Sequence, residues 1–200
     1  MGAGGVAAGK KNAARRRATL VFSDEAGFLM APLLRRTWAP RGVTPVLPQR
    51  GRSRRKVSVI AALTISPRRH RVRSYFGLLP DANYDGQAIL HFLRQLTRSQ
   101  RGPIDLVWDR LPAHRGGPVG RWLATPRHRV HAHLLPGYAP ELNPVELIWG
   151  HTKMNPLANF APTELDELLH QTQAALLTIA ADQPLLRSFI AHCPLSLRLR

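Results

Sequence analysis

Two aspartates in this sequence stand where short apolar runs give out. Asp24 follows ATLVFS, and Asp109 follows IDLVW. A third carboxylate, Glu146, falls just after Asn143-Pro144, a pair that opens a helix, since Asn is a favoured N-cap and Pro suits the first helical position. Carboxylates at strand ends sit on the rim of a sheet, and one in a first helical turn points in a set direction. Three such groups on one rim would offer hard oxygen ligands with open positions for water and phosphate oxygens, the preference of Mg²⁺ or Mn²⁺. Two such ions ~4 Å apart activate an attacking oxygen and stabilise a leaving one in phosphoryl transfer. The competing account of Glu146 is local: Asn-Pro-Val-Glu also reads as a capping box, in which the glutamate reaches back to the N-cap amide.

The elements that must position these groups follow from hydrophobic patterning. A buried strand starts at Ala18 and is expected to end at Asp24 and Glu25. Lys56–Ser66 and His70–Leu78 read as a hairpin about Pro67-Arg68-Arg69. Asp85 caps a helix whose Ile89, Phe92, Leu93 and Leu96 form one stripe. Ile104–Trp108 is a strand, a short helix is expected near Val119–Ala124, and Arg129–Leu135 is another strand. A helix then carries Val145, Ile148 and Trp149 inward with Glu146 on its flank, and Thr163 caps a last long helix before an apolar tail. Three strands followed by alternating helices and strands imply an α/β fold, a mixed sheet with helices on both faces. If the first and fourth strands are parallel neighbours, Asp24 and Asp109 leave the sheet at the same edge.

Charge narrows the partner. Lys and Arg number 29 against 12 Asp and Glu, a net charge of +17, which points to a polyanion. No stretch approaches the ~18 apolar residues of a spanning helix, so nucleic acid is expected and a membrane is not. The start lacks the apolar core of a secretory signal, and the expected location is cytoplasmic, on the nucleoid when DNA is bound. Cys193 is the sole cysteine, which excludes an intramolecular disulfide and a cysteine zinc cluster. His131 and His133 share one strand face near His128, but without Cys or a helical His pair they suit a basic DNA-facing surface better than zinc. The phosphate-loop signature of ATP-using proteins is absent. Residues 1–17 are expected to be a basic arm or linker, 18–155 a catalytic domain, and 156–200 its C-terminal helical extension.

Four segments in order, FSDEAGF, RTWAPRGVTPVL, LVWDRLPAHR and LPGYAPELNPVELIWGHTK, resemble the catalytic domain of mariner-like bacterial insertion-sequence transposases, which are DDE superfamily endonucleases. The spacing, 84 residues between the aspartates and 36 from Asp109 to Glu146, strengthens the likeness. The resemblance implies a ribonuclease-H-like fold with a five-stranded sheet. It also implies Asp24, Asp109 and Glu146 as ligands of two Mg²⁺ or Mn²⁺ ions, and cleavage and joining of double-stranded DNA at transposon ends and target. Homodimers in a synaptic complex and a separate or missing helix-turn-helix module belong to the same expectation. Glu25, His114, Arg110, Trp38 and Asn143 are candidates for supporting or DNA contacts. Arg110 departs from the family's usual Asn or Gly, which motivates one alternative, an inactive DNA-binding remnant. The other alternative is a ribonuclease-H-like nuclease of repair or recombination, because fold alone does not select the substrate. Glu25 and Glu141 are not expected among the ligands, since adjacent strand residues face opposite ways and Glu141 precedes the helix.

Overall fold

The computed structural model describes residues 16–31, 33–47, 54–126, 129–195, 197 and 199. Five strands, β1 Thr19–Leu29, β2 Lys56–Ile65, β3 Val72–Pro80, β4 Ile104–Trp108 and β5 Val130–Leu134, form one sheet in the order β3-β2-β1-β4-β5. β1 pairs antiparallel with β2 and parallel with β4, and β4 pairs parallel with β5. The described helices are α1 Gly86–Ser99, α2 Pro112–Arg115, α3 Gly117–Leu123, α4 Val145–Met154, α5 Leu165–Ala181 and α6 Gln183–His192.

Strand alternation divides the core in two. On one face Val21, Ile60, Ala62, Leu106 and Trp108 pack against Ile89, Phe92 and Leu93 of α1 and Val119 of α3. On the other, Phe22, Val59, Ala61, Leu63 and Val107 meet Ile148 and Trp149 of α4, Leu168 and Leu176 of α5, and Leu186 and Ile190 of α6. The sheet is therefore the middle layer of three, as the patterning predicts.

Several boundaries differ from the sequence expectation. β1 does not stop at Asp24 and Glu25 but runs on to Leu29, because β2 continues to supply partners as far as Lys56 and keeps its backbone groups satisfied. The apolar tail after α5 is a helix: Asp182 caps α6 by accepting from the Leu185 amide at 2.9 Å. Asp85 does cap α1, accepting from Gln87 and Ala88 amides at 3.0 and 2.8 Å. Thr163 binds through its amide and hydroxyl to the Glu167 carboxylate, each at 2.8 Å, while Glu164 holds the cap position of α5.

The β5 histidines do not form one DNA-facing row. His133 Nε2 lies 2.9 Å from Oδ1 of the fully buried Asp105, which Arg16 also contacts, so this side chain is turned inward. His131 is exposed, and His128 lies outside the described residues. Most of the expected basic arm, residues 1–15, also lies outside them. No helix of the described residues is long and apolar enough to cross a membrane.

Candidate active site

The parallel pairing of β1 with β4 places Phe22 beside Val107. Asp24 lies two residues past Phe22 and Asp109 two past Val107, so the two carboxylates sit at matching levels, Asp109 just past the end of β4 and Asp24 within the part of β1 that runs beyond it. Glu146 reaches them through its neighbour Asn143. The buried Asn143 side chain donates from Nδ2 to the Ser23 carbonyl at 3.2 Å, and its Oδ1 accepts from the Val145 amide at 3.3 Å. One side chain thus ties the start of α4 to the residue before Asp24.

Asn143 does cap the helix start in its hydrogen bonding: its backbone is extended, its carbonyl accepts from the Glu146 amide at 3.1 Å and its Oδ1 serves the Val145 amide, with the already helical Pro144 between it and α4. The Asn143 amide donates to Pro140 O at 2.8 Å within the 3₁₀ turn Pro140–Leu142, so no capping box engages Glu146. The glutamate is left to face a cleft of about 530 Å³, which Asp24, Asp109, Arg110, Tyr138 and Asn143 also line.

Each aspartate is held by one oxygen. The Trp149 indole donates from Nε1 to Asp24 Oδ2 at 2.8 Å. Asp109 Oδ1 accepts from the Leu111 amide at 2.9 Å and lies 2.7 Å from His114 Nδ1, an ion-pair contact without the alignment of a hydrogen bond. Burial pushes the Asp24 carboxyl up to about 7; the indole hydrogen bond opposes this, and the charges of Glu146, Glu25 and Asp109 reinforce it. Burial also raises Glu146, with Lys153 opposing and Asp109 adding to the rise. Asp109 moves the other way: burial would raise it, but His114 and the Leu111 amide outweigh burial and hold it below the usual carboxylate range.

His114 is buried and stacked flat on Trp108, ring centroids 4.2 Å apart with planes 3° from parallel. Its Nε2 lies 3.1 and 3.2 Å from the two Glu25 carboxylate oxygens. Burial alone would lower the imidazole, yet the two flanking carboxylates raise it to about 9. Of the remaining candidates, Arg110 donates from Nε to Leu135 O at 2.8 Å at the cleft wall, whereas Trp38 stands fully exposed outside the cleft lining. Sequence reasoning did not find Trp149 as a donor to Asp24. Its position three residues beyond Glu146 marked an inward ring but said nothing of where the indole N–H would land.

The donor chemistry fits a divalent cation. Three carboxylates line one cleft, and two of them are raised, Asp24 by burial and by the charges of Glu146, Glu25 and Asp109, and Glu146 by burial and by the charge of Asp109; a divalent ion among these hard oxygens would relieve that repulsion. They line the cleft from separate elements, and among the described residues no three His, Cys, Asp or Glu side chains converge on one point.

The sequence model of the DDE superfamily endonuclease family matches residues 19–168. No curated protein sequence shows significant similarity to the chain. Among solved structures, the Mos1 strand transfer complex superposes with a TM-score of 0.63 at 16% identity, covering 96% of this chain and 56% of that one. The Mos1 mariner paired end complex with Mn gives 0.61 at 18% identity, with 94% and 56% covered. The catalytic domain of Mos1 mariner transposase gives 0.53 at 18%, with 92% and 80% covered. The shared feature is the ribonuclease-H-like fold, and the chain spans little more than half the length of the first two.

Proposed function

Because the chain belongs to the DDE superfamily endonucleases, we propose that it is the catalytic domain of a mariner-like transposase that cleaves double-stranded DNA at transposon ends and joins the freed 3′ hydroxyl to target DNA. The observation that carries this reading is the meeting of Asp24, Asp109 and Glu146 on one cleft, delivered by β1, β4 and the first turn of α4. Asp24, Asp109 and Glu146 would hold two Mg²⁺ or Mn²⁺ ions, which when bound supply activation of the attacking oxygen and charge stabilisation of the leaving one.

The chain's own groups prepare the reaction. Trp149 holds Asp24 by Oδ2, and the Leu111 amide holds Asp109 by its Oδ1. Both aspartates thereby keep a second oxygen without a hydrogen-bond partner among the described residues. Arg110 makes no ion pair with any of the three carboxylates; anchored on Leu135 O at the cleft wall, its guanidinium suits a DNA phosphate. That placement favours an active enzyme over an inactive remnant. The net charge of +17 would hold the DNA backbone against the cleft with little base selectivity. End recognition would then come from a separate helix-turn-helix module, and the paired ends from a homodimer. Residues 156–200 serve as an extension of the catalytic domain, since Leu165, Leu168 and Leu186 join the sheet's own core.

The test is metal-dependent nicking of a transposon-end duplex followed by detection of strand-joined product, with Asp109→Asn as the control. Equal activity in that variant overturns the assignment, and nicking without joined product favours a repair or recombination nuclease.

A further inference from the structure

β1 carries two adjacent carboxylates, and strand alternation sends them to opposite faces of the sheet. Asp24 turns to the α4 face, where Trp149 meets it, while Glu25 turns to the face that holds α2 and His114. Asp109, at the end of the neighbouring strand, lies where both faces meet: it adds its charge to Asp24 and contacts His114. Glu25 therefore reaches Asp109 from the side opposite Asp24, through the imidazole.

We propose that Glu25 is a positioning residue for Asp109, acting through His114. Two constraints fix the ring. Stacking on the fully buried Trp108 indole sets its plane, which leaves the half-turn flip about Cβ–Cγ that exchanges ring nitrogens for ring carbons. The Glu25 carboxylate selects one flip state by facing Nε2 with both oxygens, at 3.1 and 3.2 Å. With plane and flip state set, Nδ1 and not a ring carbon lies on the Asp109 side, in ion-pair contact with Oδ1 at 2.7 Å. Oδ1 then carries both His114 and the Leu111 amide, which leaves Oδ2 as the Asp109 oxygen without a hydrogen-bond partner among the described residues. A carboxylate behind a histidine that orients a ligand is a recurrent arrangement around catalytic ions, and its loss lowers metal affinity or activity about 10–100-fold. Here the ligand oriented is itself a carboxylate, and the two outer groups flank the cleft without lining it.

The inference rests on Asp109 serving the endonuclease reaction, and the experiment separates the two claims. Wild type, Glu25→Gln, His114→Gln and Asp109→Asn are compared by Mn²⁺ titration calorimetry, by thermal melting without metal, and by nicking of a DNA duplex. Glutamine at 25 keeps the shape and an accepting oxygen but not the paired anionic oxygens. The expected result is a Glu25→Gln protein that melts near wild type, binds Mn²⁺ about 10-fold or more weakly, and loses nicking in kcat with little change in KM. Wild-type Mn²⁺ affinity in a folded Glu25→Gln protein overturns the positioning role. Should Glu25→Gln not fold, His114→Gln carries the same comparison. If Asp109→Asn itself binds Mn²⁺ and nicks as wild type does, the endonuclease reading fails, whatever Glu25 does.

Discussion

Replacing Asp24 by Asn should stabilise the metal-free protein, because the wild-type site holds a charge where burial resists it. Asp24 is 9% exposed, and its carboxyl rises from 3.8 to about 7 on folding, from burial first and then from Glu146, Glu25 and Asp109. A rise from 3.8 to about 7 corresponds to a cost on the order of 4 kcal/mol for ionised Asp24 in the folded state. The sign follows from the direction of the shift. A raised pKa favours the folded state fully below the unfolded value near 3.8, and that contribution is lost as pH climbs to about 7. Asparagine does not ionise and still offers Oδ1 to the Trp149 indole, so the hydrogen bond at 2.8 Å in the wild type has a successor. The expected curve for Asp24→Asn minus wild type is a stability gain near zero at pH 4. It grows through pH 5 and 6 and levels off above pH 7 at up to about 4 kcal/mol, or about 10 °C in Tm. Urea denaturation with chelator present, at pH 4, 6 and 8, measures it. A variant no more stable than wild type at pH 8, or a gain that does not fade at low pH, refutes the claim that Asp24 is a buried, charge-strained carboxylate. The same strain is what makes the site receptive to a cation, a trade of stability for function.

Mg²⁺ at one hundred times its Kd should add about 2.7 kcal/mol to wild-type stability in denaturant titrations, and Asp109→Asn and Glu146→Gln should gain little from the same addition. Asn143→Ala removes the donor to Ser23 O and the acceptor for the Val145 amide at a buried position, and should cost about 1–3 kcal/mol in chemical denaturation with an unchanged m-value. DNA binding followed by fluorescence anisotropy should weaken steeply with salt and change little between unrelated duplex sequences; salt-insensitive, sequence-selective binding would contradict the phosphate-led contact expected from the net charge.

Much of the fold is legible in local sequence. The β4 strand Ile104–Trp108 coincides with its apolar run, and the β2–β3 hairpin and Asp85-capped α1 depend on turn, capping and periodic signals that act over a few residues. What local patterns missed was set by partners distant in sequence. β1 continues past Asp24 because β2 keeps pairing with it to Leu29, and α6 forms from an unremarkable tail because Leu186 and Ile190 find a sheet face to cover. At α4 one side chain serves both ranges: Asn143 Oδ1 accepts from the Val145 amide as local rules expect, while its Nδ2 binds Ser23, 120 residues away, which no local rule supplies.

The carboxylates show the same division. Residue type and placement near strand ends and a helix start were sufficient to single out Asp24, Asp109 and Glu146, since those choices depend only on short-range order. The positive charge likewise pointed to a polyanion before any coordinates. The tertiary structure decided which oxygen of each aspartate is held, through the Trp149 indole for one and the Leu111 amide with His114 for the other. It also brought Glu25 to His114, 89 residues apart, a pairing that alternation along β1 permits but cannot specify. Types and spacing along a chain are one-dimensional facts, whereas the orientation of a carboxylate depends on what the packed sheet and helices bring to its other side.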